Sequence, residues 1–299
     1  MRSFCRCAVV TGGNRGIGFE ICRQLASNNI LVVLTARNEK RGNEAVENLK
    51  ESGLSNVVFH QLDIMDPTSI ASLSSFLKTR FGKLDILVNN AAVSGVVMDP
   101  ESFRAFEGGF DSVQDENAEK VNEIMEQPHD KGEECLNTVY YGTKAVTEGL
   151  LPLLELSNSG RIVIVSSSYG LLGLIPNEKV KAQLTDVDNL TEVELDELLQ
   201  RFLKDFKEDK LKNNGWPITM SAYKMAQATL NAYTRILAKK FSKMRINCLH
   251  PGYCKTDITC NTGQLTRAEG ARTPVMLALL PDDGPTGCYF NQMEVASFI

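Results

Sequence analysis

The sequence predicts a doubly wound α/β domain built on a parallel sheet. Three observations carry this: short β-rich apolar runs recur from end to end, helical patterns separate them, and a glycine-rich turn joins the first run to the first helix. The runs are "CAVVTG", "ILVVLTA", "VVFHQLD", "LDILVNN", "RIVIVSS", "MRINCLHP" and a last short "GCYF". Each is continuously apolar rather than alternating, the pattern of strands buried on both faces under covering helices. In such sheets ligands sit beyond the carboxyl ends of the strands, so the residues closing each run are the ones to inspect.

The 299 residues are 43% hydrophobic and 23% charged, with no Pro/Gly/Ser-rich linker, so one domain over residues 1–299 is expected. A net charge of −5 without a basic run argues against a nucleic-acid partner or an anionic membrane surface. No apolar run is long enough to cross a bilayer. The opening "MRSFCRCAVVTGG" enters a strand pattern without the features of a signal peptide. Eight cysteines (Cys5, Cys7, Cys22, Cys135, Cys248, Cys254, Cys260 and Cys288) are scattered through apolar segments, which points to reduced, packed thiols in a cytoplasmic protein. A small molecule is the expected partner.

Two polar, acidic segments interrupt the alternation, at about 94–133 and 171–220, after the fourth and fifth strands. Placed there, they are expected to wall the binding cleft. The second holds a helical pattern opened by Thr191 and Glu194 as a capping box.

After the first strand comes "TGGNRGIG", which supplies Gly12, Asn14, Arg15, Gly16, Ile17 and Gly18 ahead of an amphipathic helix. Glycines let the backbone approach a pyrophosphate, which the free N–H groups and the positive end of the helix then meet. The second strand ends at Arg37, where a cofactor without a 2′-phosphate would favour an acidic residue. With Arg15 able to approach the same phosphate, NADP(H) is the expected dinucleotide.

"TGGNRGIG", "LDI" at 62–64, "NNAA" at 89–92, "VSS" at 165–167, Tyr223 and "HPGYCKTD" at 250–257 follow one another as in the short-chain dehydrogenases/reductases. The chain resembles that family over essentially its whole length. The long insertion before Tyr223 and the "LNAYTRILAKK" after it resemble the plant salutaridine, menthone and isopiperitenone reductase group and the monomeric carbonyl reductases. The resemblance implies a Rossmann-type fold. It also implies an adenine contact at Asp63 and Ile64, passage of Asn90 and Ala91 behind the ribose, and a nicotinamide and pyrophosphate wall of Pro251, Gly252, Tyr253 and Thr256. "NNAA" adds one Cβ, at Ala92, to the usual "NNAG".

Carried onto the catalytic positions, the resemblance makes Ser167 the residue that orients a substrate carbonyl, with Ser166 and Ser168 open as alternatives, and Tyr223 the proton donor. The usual lysine one helical turn after the tyrosine is Gln227, and the usual asparagine is Val139 in "TVYYGTK". Asn137 lies about 200° around a regular helix from that position and would need a bulge to return. Lys224, next to Tyr223, points elsewhere. Gln227 can still hydrogen-bond a ribose hydroxyl but supplies no charge.

The function so implied is NADPH-dependent reduction of a ketone or enone in a bulky terpenoid or alkaloid. A non-redox cyclase or isomerase on the same fold, or a cofactor-binding protein with little activity, are the alternatives. A monomer is expected, because the insertion at 94–133 runs into a helix that relatives use for assembly. His60, His129 and His250 have no ligand spacing and no metal is expected; His250 reads as a strand-end residue. Cys254 and Cys260 could approach the cleft, but nothing marks either as an activated thiolate.

Overall fold

The computed structural model describes residues 6–299, so the expectations for Cys5 and the first residues lie outside it. The strands are β1 (Cys7–Val10), β2 (Leu31–Ala36), β3 (Val57–Gln61), β4 (Ile86–Asn89), β5 (Arg161–Val165), β6 (Arg245–His250), β7 (Tyr289–Asn291) and β8 (Glu294–Ala296). They form one sheet in the order β8-β7-β6-β5-β4-β1-β2-β3. β1 to β7 pair in parallel and correspond to the seven apolar runs. β8 returns antiparallel to β7 at the edge. At three residues, its sequence is too short to carry a strand signal that can be read in advance.

The helices between strands are α1 (Gly16–Ser27), α2 (Glu39–Glu51), α3 (Pro67–Phe81), α4 (His129–Leu136), α5 (Thr143–Leu154), α6 (Glu192–Lys207), α7 (Ser221–Lys240) and α8 (Arg272–Ala278). Their ends follow local chemistry. For α3, the Asp66 side chain accepts from Thr68 N–H at 2.9 Å, Pro67 opens the first turn, and Gly82 closes the helix at φ 75°. α6 starts on the capping box expected from Thr191 and Glu194, with reciprocal bonds of 2.8 and 3.2 Å.

An apolar layer covers each face of the sheet. On one face Leu73 and Leu77 of α3, Val146 and Leu150 of α5, and Met225 and Tyr233 of α7 are buried together. On the other, Ile21 and Leu25 of α1, Val46 and Leu49 of α2, and Leu277 of α8 are buried against β1, β2 and β4. Each fully buried Leu or Ile contributes about 2 kcal/mol by removal from water, so these layers fix where the strand ends lie.

The first insertion contains a short antiparallel pair, Val97–Met98 with Met125–Glu126, and a helix, Pro100–Ala105. It has an apolar cluster of its own, in which Phe103, Phe110, Val113, Val121 and Met125 meet Met220 and Cys260. The last residues of this polar stretch are helical, since α4 begins at His129, with Gly132, Cys135 and Leu136 buried. No helix among the described residues is long and apolar enough to cross a membrane.

Candidate active site

The cleft opens beyond the carboxyl ends of β1, β2, β4, β5 and β6. At its floor is the turn after β1. Gly16 adopts φ 59°, a conformation that costs glycine little and would strain a residue with a side chain. Gly18 lies so close to the turn that an added Cβ would come within 2.3 Å of the Gly12 carbonyl oxygen and 2.5 Å of Asn90 Nδ2. Asn90 donates from Nδ2 to the Thr11 carbonyl at 3.0 Å, and the backbone N–H groups of Asn90 and Ala91 both donate to Thr11 Oγ1, at 2.8 and 3.0 Å. The ends of β1 and β4 are thus bound into one surface, with the N-terminus of α1 facing the cleft.

The opposite wall belongs to α7. Fifteen of its 20 residues are buried, so the register of the helix is set all round by packing. Tyr223 packs at 6.0 Å and 70° against Tyr169. Burial pushes its phenol up to about 12, with a smaller push from the Cys135 thiol; the side chains of Gln227 and Ser167 pull the other way. Ser166 donates to the buried Asn231 Oδ1 at 2.6 Å, whereas the Ser167 hydroxyl accepts from Tyr169 N–H at 3.2 Å; both line the cleft. Ser168 lines the cleft and starts the short turn after β5.

Gln227 sits one turn along α7, 1% exposed, with Oε1 lacking any hydrogen-bond partner. Lys224 does point elsewhere, to Asp115 at 2.8 Å. Between α4 and α5 the backbone forms a π-helical turn, Asn137–Gly142, the kind of bulge that could have returned Asn137 to the site. Thr138 is the residue from this turn that lines the cleft, Asn137 does not, and Val139 is buried in the core at 2% exposure. Of the four positions taken from the resemblance, Ser167, Tyr223 and Gln227 line the cleft and Val139 does not.

Every residue assigned from the sequence borders this one cavity of about 370 Å³: the glycine turn with Asn14, Arg15 and Ile17, then Arg37, Asp63, Ile64, Asn90, Ala91, Ser167, Tyr223, Gln227, Pro251, Gly252, Tyr253 and Thr256. Arg15 and Arg37 differ in their surroundings. Arg15 pairs with Asp257 at 2.9 Å, both side chains more than half exposed. Such a pair is worth at most about 1 kcal/mol, so it exchanges readily for another anion. Arg41 also lines the cleft, one helical turn past Arg37 and in the first turn of α2. The sequence contains the signal for it, an arginine four residues beyond Arg37, but attention to the strand end alone passes over it. His250 closes β6 as expected, lines the cleft, and is lowered to about 4 by burial, so its imidazole is neutral at physiological pH. Burial pushes the Cys254 thiol up to about 11, which keeps it protonated and unreactive.

The aromatic wall was not foreseen beyond Tyr253. Phe110, from the first insertion, stands edge-on to Tyr169 and to Tyr253, at 6.4 and 6.2 Å. Its backbone is held from both sides: the Tyr169 hydroxyl donates to its carbonyl at 2.7 Å, and its N–H donates to the Tyr253 hydroxyl at 3.1 Å. Phe110, Asp111 and Met220 complete the cleft wall beyond Tyr223.

A glycine cradle at a helix N-terminus, sharing one cleft with a serine and a partly buried tyrosine at one end of a parallel sheet, defines a dinucleotide-dependent oxidoreductase. The family profile described as short chain dehydrogenase matches residues 6–179, and the chain belongs to that family. It is 51% identical to salutaridine reductase of Papaver bracteatum over 299 residues, covering 98% of this chain and 96% of the relative. It is 52% identical to (-)-isopiperitenone reductase of Mentha piperita over 300 residues, 95% of this chain and 96% of the relative. Among solved structures, menthone neomenthol reductase from Mentha piperita superposes with a TM-score of 0.85 at 45% identity, covering 98% of this chain and all of that one.

Proposed function

We propose that the protein reduces a ketone or enone of a bulky specialised metabolite, a terpenoid or alkaloid, with NADPH as hydride source. One observation carries this: Ser167, Tyr223 and Gln227 border the same cleft that holds the glycine cradle. The residues fit a dinucleotide. A Cβ at Gly16 would meet nothing nearer than Thr256 Cγ2 at 3.9 Å, so the turn leaves room for a close approach at the N-terminus of α1, and the unpaired Gln227 Oε1 is a buried acceptor suited to a ribose hydroxyl. Arg37 and Arg41, at the α2 end of the cleft, favour a 2′-phosphate over a bare ribose.

When bound, the nicotinamide supplies the hydride. Ser167 and Tyr223 hold the substrate oxygen, and Tyr223 donates the proton as negative charge develops there. The phenol is already in the form reduction needs, because burial keeps it protonated. The names of the three plant reductases above support the substrate class. A monomer is the expected state, supported by the insertion side chains bound to the start of α7 at Ser221 and Lys224.

The test is to incubate the protein with NADPH and a panel of terpenoid and alkaloid ketones and enones, following NADPH absorbance and product mass together. Product formed with equal NADPH oxidation is expected. Product without NADPH oxidation would replace hydride transfer with cyclisation or isomerisation, and binding of NADPH without product would leave a cofactor-binding protein.

A further inference from the structure

The residue preceding the catalytic helix is in an unusual conformation. Met220 has φ 48° and ψ 33°, the left-handed region that a long side chain rarely occupies unless its surroundings impose it. The restraint comes from the first insertion. The amides on either side of Met220 donate to insertion side chains, Thr219 N–H to Asp115 Oδ1 at 3.0 Å and Ser221 N–H to Gln127 Oε1 at 2.7 Å. Asp115 also accepts from Ile218 N–H at 3.1 Å and from the Thr219 hydroxyl at 2.6 Å. Gln127 completes its side by accepting from the Ser221 hydroxyl at 2.8 Å and donating to the Ile218 carbonyl at 2.8 Å.

The cation that balances Asp115 is on the catalytic helix itself. Lys224, 2% exposed, reaches Asp115 Oδ1 at 2.8 Å and Thr219 Oγ1 at 2.9 Å. Its Nζ lies 6.0 Å from the Tyr169 ring centroid, behind the aromatic wall. The helix and the insertion are therefore pinned to each other one residue from Tyr223, and the pinned turn presents Met220 to the cleft beside Phe110.

We propose that Asp115, Gln127 and Lys224 are positioning residues that clamp the first insertion to the turn before α7, hold Met220 in its left-handed conformation, and so set the substrate end of the cleft for a bulky ketone. This rests on the reductase function proposed above. A buried ion pair often gives little stability, yet its geometric demands suit it to fixing one arrangement of two segments. Here the carboxylate takes two backbone N–H groups, a hydroxyl and an ammonium, all from the segment 218–224, and so fixes that segment in one register.

Two variants break the clamp: the double substitution Asp115→Asn with Lys224→Met, which removes both charges together, and Gln127→Ala, which changes no charge. A third, Met220→Gly, keeps a residue suited to the left-handed turn and deletes only the side chain. Amide exchange at residues 218–221, measured without substrate, should quicken about tenfold in the first two and stay near wild type in the third. For a bulky ketone all three should lose about tenfold in kcat/KM, mainly through KM, since a misplacement of about 1 Å can cost up to a hundredfold. In the two clamp variants, turnover of a compact ketone and NADPH affinity should change less than about twofold.

Unchanged exchange in both clamp variants overturns the clamp, and faster exchange with unchanged bulky-ketone kinetics overturns its role in positioning. If the double variant does not fold, Gln127→Ala decides alone. If the native protein reduces no ketone, the reductase function fails, while the exchange measurement still decides whether the clamp exists.

Discussion

Replacing Gln227 with lysine restores the cation beside Tyr223 and changes the two directions of catalysis unequally. With the phenol raised to about 12, only about one molecule in 10,000 carries phenolate at pH 8. A neighbouring cation lowers an acid's pKa by about 1–3 units, which would raise that fraction about 10- to 1,000-fold. The lower end is the expectation, because position 227 is 1% exposed and burial disfavours the ammonium that must do the work. Alcohol oxidation requires the phenolate as base, so its rate at pH 8 should rise about tenfold. Ketone reduction uses the phenol, which stays almost wholly protonated in both proteins, and should change by less than about threefold. Initial rates in both directions from pH 6 to 11, at saturating dinucleotide, measure this. In the native protein reduction should stay flat to about pH 10, and the variant should move the oxidation limb to lower pH. If a folded Gln227→Lys protein that binds dinucleotide shows an unmoved oxidation limb, Tyr223 is not the group that exchanges the proton.

Tyr223→Phe keeps the ring contact with Tyr169 and deletes the hydroxyl, so turnover in either direction should fall at least about 100-fold in steady-state assays, while melting stays near wild type. Arg37→Ala should erase most of the preference for NADPH over NADH in titrations, and Arg41→Ala should erode it further, each charge-assisted contact being worth about 1.5–3 kcal/mol. Equal affinities for the two dinucleotides in the native chain would remove both arginines from the 2′-phosphate site. Light scattering should give one 33.0 kDa species; a stable tetramer would mean that the insertion leaves the assembly helices free.

The parallel sheet and the cradle were legible because their signals are local: continuous apolar runs, and glycines between a strand and a helix. Gln227 was equally easy to place in the cleft, since it stands one helical turn after Tyr223. What lay beyond the sequence depends on partners distant along the chain. That the Ser166 hydroxyl is held by Asn231, 65 residues away, has no signal in the sequence. Lys224 pointed away from the site as helical geometry required, but its partner Asp115 lies 109 residues earlier. Phe110 shows no periodicity that sets it apart, and only the two tyrosine hydroxyls on its backbone place it in the wall. The π-helical turn likewise has no sequence signature in "NTVYYG", and it brings Thr138 rather than Asn137 to the cleft.

The apolar cluster of the first insertion is separate from the two layers that stabilise the sheet, and this divides the molecule's tolerance for change. α7 carries Tyr223 and Gln227 but is also core on nearly every side, so most alterations there would threaten folding along with chemistry. Phe103, Phe110, Val113 and Val121 pack chiefly with one another and with Met220 and Cys260, so a volume-conserving exchange among them can reshape the cleft mouth without disturbing a strand. A library confined to residues 96–125 therefore offers a route to new substrates in which most members still fold, whereas one spread along α7 would lose most of its members before any could be assayed.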